Sequence, residues 1–337
     1  MAADTVIVEP EAPARGHRSA LKWVLLILTW TLVGIFTLFA VVRLFGLERT
    51  YWVDMVMAFT PYVALGSLVP LGVAVAARDW WATGVAGVVC LTFALLVVPR
   101  AFGGPDPGPG PRITVMSSNM KVGAADPATL VALVRAHHVD VLTIEEYTTR
   151  AQDALVAAGL ADLLPYSRRD PIPQSAHGSA IYSRYPLSDT GLQALPQHWQ
   201  QSYATVHIPG ALPVQVYAVH SVVPPQQPGP LANWARSLAR EPAATPDGTV
   251  RLLVGDFNAT LDQAPLRRLR ATGYRDIADV LGDGLVPTWP YDGRGIPKIT
   301  IDHIFADPRV GAVSFGATVV PYTDHKAIYA ALTLPPG

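Results

Sequence analysis

The sequence has very little cysteine and almost no excess of charge of either sign. Its 337 residues include a single cysteine, Cys90, and the formal net charge is −1. A lone cysteine excludes an intramolecular disulfide framework and a zinc site of the Cys-x-x-Cys type. The near-neutral balance gives no support to a large basic surface for nucleic acid. The folded part of the chain must therefore be stable without disulfides.

Short motifs of several common enzyme classes are also missing. The sequence contains no HExxH zinc motif, no GxSxG nucleophile elbow and no Walker loop. Because Cys90 falls inside an apolar run, the rest of the chain has no thiolate catalyst either. These absences leave acids, amides and histidines as the residue types available for chemistry.

Long hydrophobic runs are abundant, and they are concentrated in the first hundred residues. Three runs carry no charge: Trp23 to Val42, Met55 to Ala77 and Trp80 to Val98. Each is long enough to cross about 30 Å of hydrocarbon as a helix. The alternative, buried helices of a soluble protein, fits poorly with three such runs separated by short charged breaks. The sequence therefore predicts three membrane spans.

The flanking charges predict the orientation of these spans. Arg15, Arg18 and Lys22 precede the first run and Arg78 lies between the second and third. Four arginines on the other side oppose them: Arg43, Arg49, Arg100 and Arg112. Because the first helix usually dominates, the compact N-terminal cluster predicts an N-terminus inside the cytoplasm. About twenty polar residues before the first run argue against a cleaved signal peptide. We expect residues 1–22 to form a cytoplasmic tail, residues 23–99 a membrane anchor, and the rest to lie outside the cytoplasm.

A segment rich in Gly and Pro, Gly103 to Pro111, separates the anchor from the rest of the chain. It predicts a stalk over residues 100–111 and a second domain over residues 112–337. Short β-branched runs recur in that domain and alternate with a few helices, such as the one that Asp126-Pro127 would begin. This pattern predicts an α/β fold, a sandwich of two packed sheets with flanking helices. The runs are Ile113 to Met116, Val139 to Ile144, Ala180 to Tyr182, Tyr203 to Ile208, Val214 to Val219, Leu252 to Val254, Ile299 to Phe305 and Ala327 to Leu332.

Polar residues stand at the ends of these predicted strands, where sheet-based active sites are built. Singly, each has an ordinary explanation as a turn or surface residue. Together they supply hard oxygen ligands, which suit Mg²⁺ or Mn²⁺, and histidines able to bind a phosphate or move protons. The set is Asn119, Glu145, Glu146, His220, Asp256, Asn258, Asp324 and His325.

Seven motifs in order resemble those of the endonuclease/exonuclease/phosphatase superfamily across residues 112 to 335. They are Ser118-Asn119, Asp140-Val-Leu-Thr-Ile-Glu-Glu146, Gly178-Ser-Ala-Ile-Tyr-Ser-Arg-Tyr-Pro186, Tyr217-Ala-Val-His220, Gly255-Asp-Phe-Asn258, Ile301-Asp-His-Ile-Phe305 and Thr323-Asp-His325. The membrane-anchored arrangement is similar to that of VanJ-type glycopeptide-resistance proteins. That resemblance implies a role in the cell envelope.

The superfamily resemblance implies a role for each matching residue. Asn119, Glu146 and Asp324 would form the site for Mg²⁺ or Mn²⁺. Asp256 and Asn258 would orient the attacking water, and His220 would stabilise the phosphate or protonate the leaving oxygen. His325 would sit against the scissile phosphate with its tautomer set by Asp302. Two residues depart from the family pattern: Glu145 replaces the usual Gln, and Lys121 stands where some nucleases carry an acid.

The sequence thus predicts a membrane-anchored, metal-dependent phosphoesterase. A catalytic domain fixed beside the bilayer favours a phosphate or pyrophosphate carried on a membrane lipid, with nucleic acid a less favoured substrate. Two alternatives remain: a surface nuclease, and a catalytically silent module that binds a partner. Four basic residues are expected to hold a pyrophosphate: Arg168, Arg169, Arg294 and Lys298.

Overall fold

The computed structural model describes residues 15–225, 231–245 and 247–337. Residues 1–14 of the expected tail lie outside this range. The helices are α1 (Arg15–Phe45), α2 (Tyr51–Met57), α3 (Thr60–Gly66), α4 (Leu68–Ala76), α5 (Trp80–Val97), α6 (Pro127–Ala136), α7 (Thr149–Ala157), α8 (Leu160–Leu163), α9 (Ala232–Leu238), α10 (Ala264–Arg270) and α11 (Ile277–Leu281). The strands are β1 (Arg112–Asn119), β2 (Val141–Glu145), β3 (Tyr166–Asp170), β4 (Ser179–Ser183), β5 (Leu187–Ala194), β6 (Gln200–Val206), β7 (Val214–His220), β8 (Val250–Asp256), β9 (Arg275–Asp276), β10 (Asp302–Ala306), β11 (Gly311–Val319) and β12 (Lys326–Thr333).

Two six-stranded mixed sheets form the C-terminal part. The first has the order β11-β12-β1-β2-β4-β3 and the second β5-β6-β7-β8-β10-β9. Each sheet has a parallel pair near its centre, β1 with β2 and β7 with β8. The predicted two-sheet α/β sandwich is confirmed. All eight predicted runs fall in or overlap strands of these sheets.

The core lies between the sheets because strand residues alternate between the two faces. Inward-facing side chains from both sheets, such as Val115, Val216 and Ile304, make one buried cluster. The outer face of the first sheet packs against α6, α7 and α8, and that of the second against α9 and α10. Helix α6 begins as predicted, because the Asp126 carboxylate accepts a hydrogen bond from the Thr129 N–H at 2.7 Å.

Two N-terminal helices are long and apolar enough to cross a membrane, over Lys22–Phe45 and Trp80–Ala101. The expected middle span is not one straight helix: Tyr51–Met57 and Thr60–Ala76 form a pair bent by 76°. A third crossing exists only if this pair counts as one span, so the prediction of three spans is not confirmed. Much of the apolar surface of these helices is exposed, including 65% of Trp23 and 67% of Leu95.

Buried polar contacts join the N-terminal helices to the sandwich. The Asp262 carboxylate accepts hydrogen bonds from Arg43, at the end of α1, and Arg100, just after α5, at 2.7 to 2.9 Å. The Gln263 amide donates to Asp54 of α2 at 2.7 Å, and Glu48 accepts from the Ala264 N–H at 2.6 Å. The start of α10 is therefore a buried polar contact point between the N-terminal helices and the sandwich.

The expected stalk has no long regular element but does contact the sandwich. A short 3-10 turn covers Val98–Ala101, and Asp106 makes an isolated bridge with Ala312. Strand β1 begins at Arg112, directly after this segment.

Candidate active site

The site forms where several strands end at one edge of the sandwich. Asn119 at the end of β1 pairs in register with Glu145 at the end of β2. In the other sheet, Asp256 at the end of β8 lies opposite both His220 of β7 and Asp302 of β10. Because parallel strands bring their carboxyl ends to the same edge, residues from distant parts of the sequence become neighbours.

Asn119 connects the two sheets. Its amide donates to Glu146 Oε1 at 3.1 Å and to Asp256 Oδ2 at 3.0 Å. Glu146 adopts a left-handed φ of 54°, and its other oxygen accepts from the Val122 N–H at 2.7 Å. Burial raises the pKa of the Glu146 carboxyl. The Asn119 amide thus donates hydrogen bonds to two carboxylates, those of Glu146 and Asp256.

His325 and Asp302 form a buried pair. His325 Nδ1 lies 3.0 and 3.1 Å from the two Asp302 oxygens, and Nε2 lies 3.7 Å from Asp256 Oδ2. Burial opposes the charged ring, but Asp302 and Asp256 together raise the pKa of His325 to about 10. With Nδ1 fixed by Asp302, Nε2 is directed toward Asp256.

Asp256 stands at the centre of the site. Burial raises its pKa to about 7, and Oδ1 accepts from the Asn258 N–H at 2.8 Å. Asn258 has a left-handed φ of 48° and its amide donates to the Ser221 carbonyl at 2.9 Å. The glycine of the Gly255-Asp-Phe-Asn258 motif has a structural reason. Its φ is 151°, and a Cβ at this position would lie 2.1 Å from the Val219 carbonyl oxygen.

His220 is buried at the same edge, and neither of its ring nitrogens has a hydrogen-bond partner within the described residues. Its Nε2 lies 3.9 Å from Glu146 and 3.8 Å from Asp256. Burial lowers the pKa of His220 to about 3, so the ring is neutral near pH 7. The Trp199 ring meets it edge-on at 4.5 Å.

Asp324 lies at the rim with different partners. Its carboxylate accepts from Trp289 Nε1 at 3.1 Å and from the Arg294 guanidinium, and Lys121 Nζ lies 3.9 Å away. Its assignment as a metal ligand stays a prediction. Lys121 also pairs with Asp292 at 3.0 Å, so it faces acids of the rim.

Glu145, the acid that stands where the family usually has Gln, makes its hydrogen bond to Ser117. Its Oε2 accepts from Ser117 Oγ at 2.8 Å and Oε1 has no partner among the described residues. Complete burial raises the pKa of this carboxyl well above its usual range. A neutral acid at this position has the same shape and polarity as the Gln usual in the family.

Two tryptophans border the site that the sequence had not assigned to it. The Trp289 indole donates to Asp324, and Trp199 packs against His220. Thr288 Oγ1 accepts the Ile301 and Asp302 N–H groups at 3.1 and 3.2 Å. Only the closeness of Thr288-Trp289 to the Asp302 motif could have indicated these roles.

The site has the donor set of a divalent-cation site. Among the described residues, the group of acids and histidines close enough to share an ion is Asp256, Asp302 and His325, whose ligand atoms lie within 4.8 Å of one another. This group differs from the predicted ligands Asn119, Glu146 and Asp324, but Asn119 joins Glu146 directly to Asp256 by its two hydrogen bonds. Buried carboxylates that crowd one another in this way are stabilised when a cation binds between them.

Comparison with known proteins agrees with this geometry. Residues 116–325 match the model of the "Endonuclease/Exonuclease/phosphatase family". No curated protein matches the sequence. A solved endonuclease/exonuclease/phosphatase from Beutenbergia cavernae is 19% identical with a TM-score of 0.53, and the match covers 66% of this chain and 72% of that one.

Two structures of TDP2 are also similar. Truncated Caenorhabditis elegans TDP2 is 16% identical with a TM-score of 0.54, covering 66% of this chain and 97% of that one. D. rerio TDP2 complexed with a single-strand DNA product is 17% identical with a TM-score of 0.52, covering 66% and 99%. At such identities these neighbours show a shared fold. The family match over residues 116–325, most of the sandwich, establishes that the chain belongs to the endonuclease/exonuclease/phosphatase family, hydrolases of phosphoester bonds that generally depend on a divalent metal.

Proposed function

We propose that the protein is a membrane-anchored phosphoesterase that hydrolyses a phosphate or pyrophosphate carried on a membrane lipid. One observation carries the proposal: the loop between Leu285 and Thr300 borders the site on one side and touches the anchor on the other. Trp289 and Arg294 of this loop contact Asp324. On its opposite side, the Tyr62 hydroxyl of α3 donates to the Lys298 carbonyl at 2.7 Å. A lipid headgroup beside α3 is therefore close to the rim of the site.

The rim is cationic and aromatic, which suits a pyrophosphate. Lys298 Nζ and Lys326 Nζ lie 4.2 and 4.5 Å from the centre of the Tyr291 ring. The Arg294 guanidinium lies 5.0 Å from the Trp289 ring. Arg294 pairs with two acids of this rim, Asp292 and Asp324, whereas Arg168 pairs with Asp170 of its own strand at 2.6 Å. Arginine and lysine bind phosphate oxygens by charge-assisted hydrogen bonds, so Arg294 and Lys298 are the residues we assign to the second phosphate.

The proposed chemistry follows from the site. Asn119 and Glu146, with Asp324 at the rim, would hold Mg²⁺ or Mn²⁺, which when bound neutralises charge that develops on the phosphoryl oxygens. Asp256, aligned by Asn258, accepts a proton from the attacking water. His325, held by Asp302, and His220 donate hydrogen bonds to the phosphate or to the leaving oxygen.

In this proposal residues 23–99 anchor the protein in the membrane and residues 100–111 connect the anchor to the sandwich. Residues 112–337 form the catalytic domain, which lies at the outer face of the cell membrane. Residues 1–22 remain in the cytoplasm. A polyprenyl pyrophosphate of the cell envelope is the lipid substrate we assign. The arrangement, similar to that of VanJ-type proteins, extends the proposal to glycopeptide resistance.

The decisive experiment compares substrates for the full-length protein in lipid vesicles with Mg²⁺ or Mn²⁺. We expect phosphate release from polyprenyl pyrophosphate with a higher kcat/KM than any cleavage of plasmid DNA. Arg294→Gln should raise KM for the pyrophosphate, whereas Arg168→Gln should leave it unchanged. If DNA is cut readily and no lipid releases phosphate, the surface nuclease replaces this proposal; if neither reacts, the silent binding module does.

A further inference from the structure

A second cavity lies at the junction of the anchor helices and the sandwich, apart from the active site. Its volume is about 560 Å³, and four arginines line it: Arg43, Arg100, Arg267 and Arg270. They come from three separate elements, α1, the turn after α5, and α10. None of the residues assigned to catalysis or metal binding lines this cavity.

The cations of the cavity are not fully balanced by the acids that contact them. Arg43 and Arg100 share a single carboxylate, that of Asp262. Both arginines are buried, with 5% of Arg43 and 8% of Arg100 exposed. Arg267 pairs with Glu48 at 3.3 Å and Arg270 with Asp279 at 2.5 Å. Four guanidinium groups thus contact three carboxylates. Because the guanidinium groups outnumber the carboxylates they contact, and Arg267 and Arg270 are partly exposed at the open side, the cavity favours binding of an anion.

The other wall of the cavity is apolar and belongs to α5. Leu95 and Leu96, one turn before Arg100, line it together with Pro99. Leu95 is on the exposed face of a candidate span. Arg43 and Arg100 lie at the domain ends of the two candidate spans, the depth at which headgroup phosphates lie in a bilayer. The cavity therefore places cations at headgroup depth above a surface that acyl chains can cover.

We infer that this cavity binds the headgroup phosphate of an anionic glycerophospholipid from the surrounding leaflet, as a structural lipid and not as substrate. The phosphate accepts hydrogen bonds from Arg267 and Arg270 at the open side, and the first part of an acyl chain lies along Leu95 and Leu96. This inference rests on the membrane insertion of α1 and α5 in the proposal above and is independent of the substrate.

The test counts lipids on the full-length protein in dodecyl maltoside micelles by native mass spectrometry. The micelles are titrated with phosphatidylglycerol or with phosphatidylcholine of the same acyl chains. We expect tight binding of one phosphatidylglycerol, and Arg267→Gln or Arg270→Gln should weaken it about tenfold, as expected for loss of a charge-assisted hydrogen bond. Arg268→Gln is the matched control, because it removes the same charge from the same helix outside this cavity.

Three outcomes would overturn the inference: equal binding of the two lipids, unchanged binding in Arg270→Gln, or an equal loss in Arg268→Gln, which would mean bulk charge attraction. Displacement by inorganic phosphate as effectively as by phosphatidylglycerol would assign the cavity to a free anion. Since Arg270 contacts only Asp279 among the acids, its variant remains informative even if Arg267→Gln loosens the Glu48 contact. Hydrolysis is not measured, so failure here is separate from failure of the proposed activity.

Discussion

Glu145 and Glu146 are neighbours in sequence with different surroundings, which makes them a matched pair for testing the metal site. Glu146 contacts Asn119 and Val122 at the site, whereas Glu145 contacts Ser117. We expect Glu146→Gln to abolish hydrolysis, because a neutral amide binds a hard cation poorly. Glu145→Gln should retain activity. Both variants are compared with wild type by their turnover with Mg²⁺ and after addition of EDTA, and melting curves check that they fold. Activity that persists in EDTA would contradict the mechanism.

Asp302 acts through His325, and the chain offers a second Asp–His pair as its control. Asp302→Asn should lower kcat by about 100-fold or more, since the ring loses the partner that fixes its tautomer. His303 and Asp276 make a similar buried contact at 2.7 Å without touching the proposed reacting groups. Asp276→Asn should lower thermal stability more than kcat. Equal effects of the two substitutions on kcat would mean that Asp302 is structural.

Glu241, a buried acid that the proposed chemistry does not use, predicts a pH dependence of stability. It is buried, accepts a hydrogen bond from Gln201 at 2.7 Å, and has its pKa raised by burial to about 8. Above pH 4.5 the unfolded chain releases this proton while the folded chain keeps it, so the free energy of unfolding falls as pH rises toward 8. Glu241→Gln removes that loss, on the order of 5 kcal/mol for the whole shift.

The measurement is the melting temperature of wild type and Glu241→Gln between pH 5 and 9. The difference in favour of the variant should increase up to about pH 8 and then level off. A constant difference would mean that Glu241 is ionised in the folded protein at all of these values.

At this scale, the sequence could indicate which residue types gather at strand ends, but not their partners. Asn119, Asp256 and His325 were recognisable because each ends or precedes a β-branched run. The contact of Trp199 with His220 could not be recognised from the sequence, because Trp199 lies in an irregular loop whose path depends on tertiary packing. The hydrogen bond of Glu145 to Ser117 likewise depends on a register between strands that no local pattern encodes.

At the scale of elements, the start of α10 joins the N-terminal helices to the sandwich through Asp262. Asp262→Asn leaves two buried guanidinium groups without a carboxylate, whereas Arg43→Gln or Arg100→Gln leaves one pair intact. We therefore expect Asp262→Asn to cost about 3–5 kcal/mol, more than either arginine variant. Melting of the full-length protein in detergent ranks the three variants by their loss of stability. A smaller loss for Asp262→Asn than for the arginine variants would contradict this account of the interface.

Strands were predictable where both of their faces are buried. Runs such as Leu252 to Val254 are apolar throughout because β8 is central in its sheet. Edge strands β3 and β5 were missed because polar residues disturb their pattern, β9 because it has only two residues, and β11 because it is rich in Gly and Ala. The bend near Met57 was also missed, because apolar composition continues across it while the helix axis turns.

At the scale of the whole molecule, the orientation of the domain follows from which ends of the helices meet. Lys22 and Trp23, near the start of α1, line a cavity with Ala77 and Asp79, between α4 and α5. Arg43, at the other end of α1, contacts Asp262 of the sandwich. If α1 crosses a bilayer, the N-terminal basic cluster and the sandwich lie on opposite sides. Since we expect that cluster to stay in the cytoplasm, we propose that the catalytic domain is outside.

Reporter fusions after Gly337 test this topology in cells. Alkaline phosphatase folds only outside the cytoplasm, so its fusion should be active, while a green fluorescent protein fusion exported in unfolded form should be dark. Replacing Arg15, Arg18 and Lys22 together by Gln should weaken or invert the preference, because these charges hold the N-terminus inside. The matched change at Arg43 and Arg49 should not invert it. An inactive phosphatase fusion with a bright fluorescent one would place the domain in the cytoplasm and direct the search for substrates to the phosphates available there.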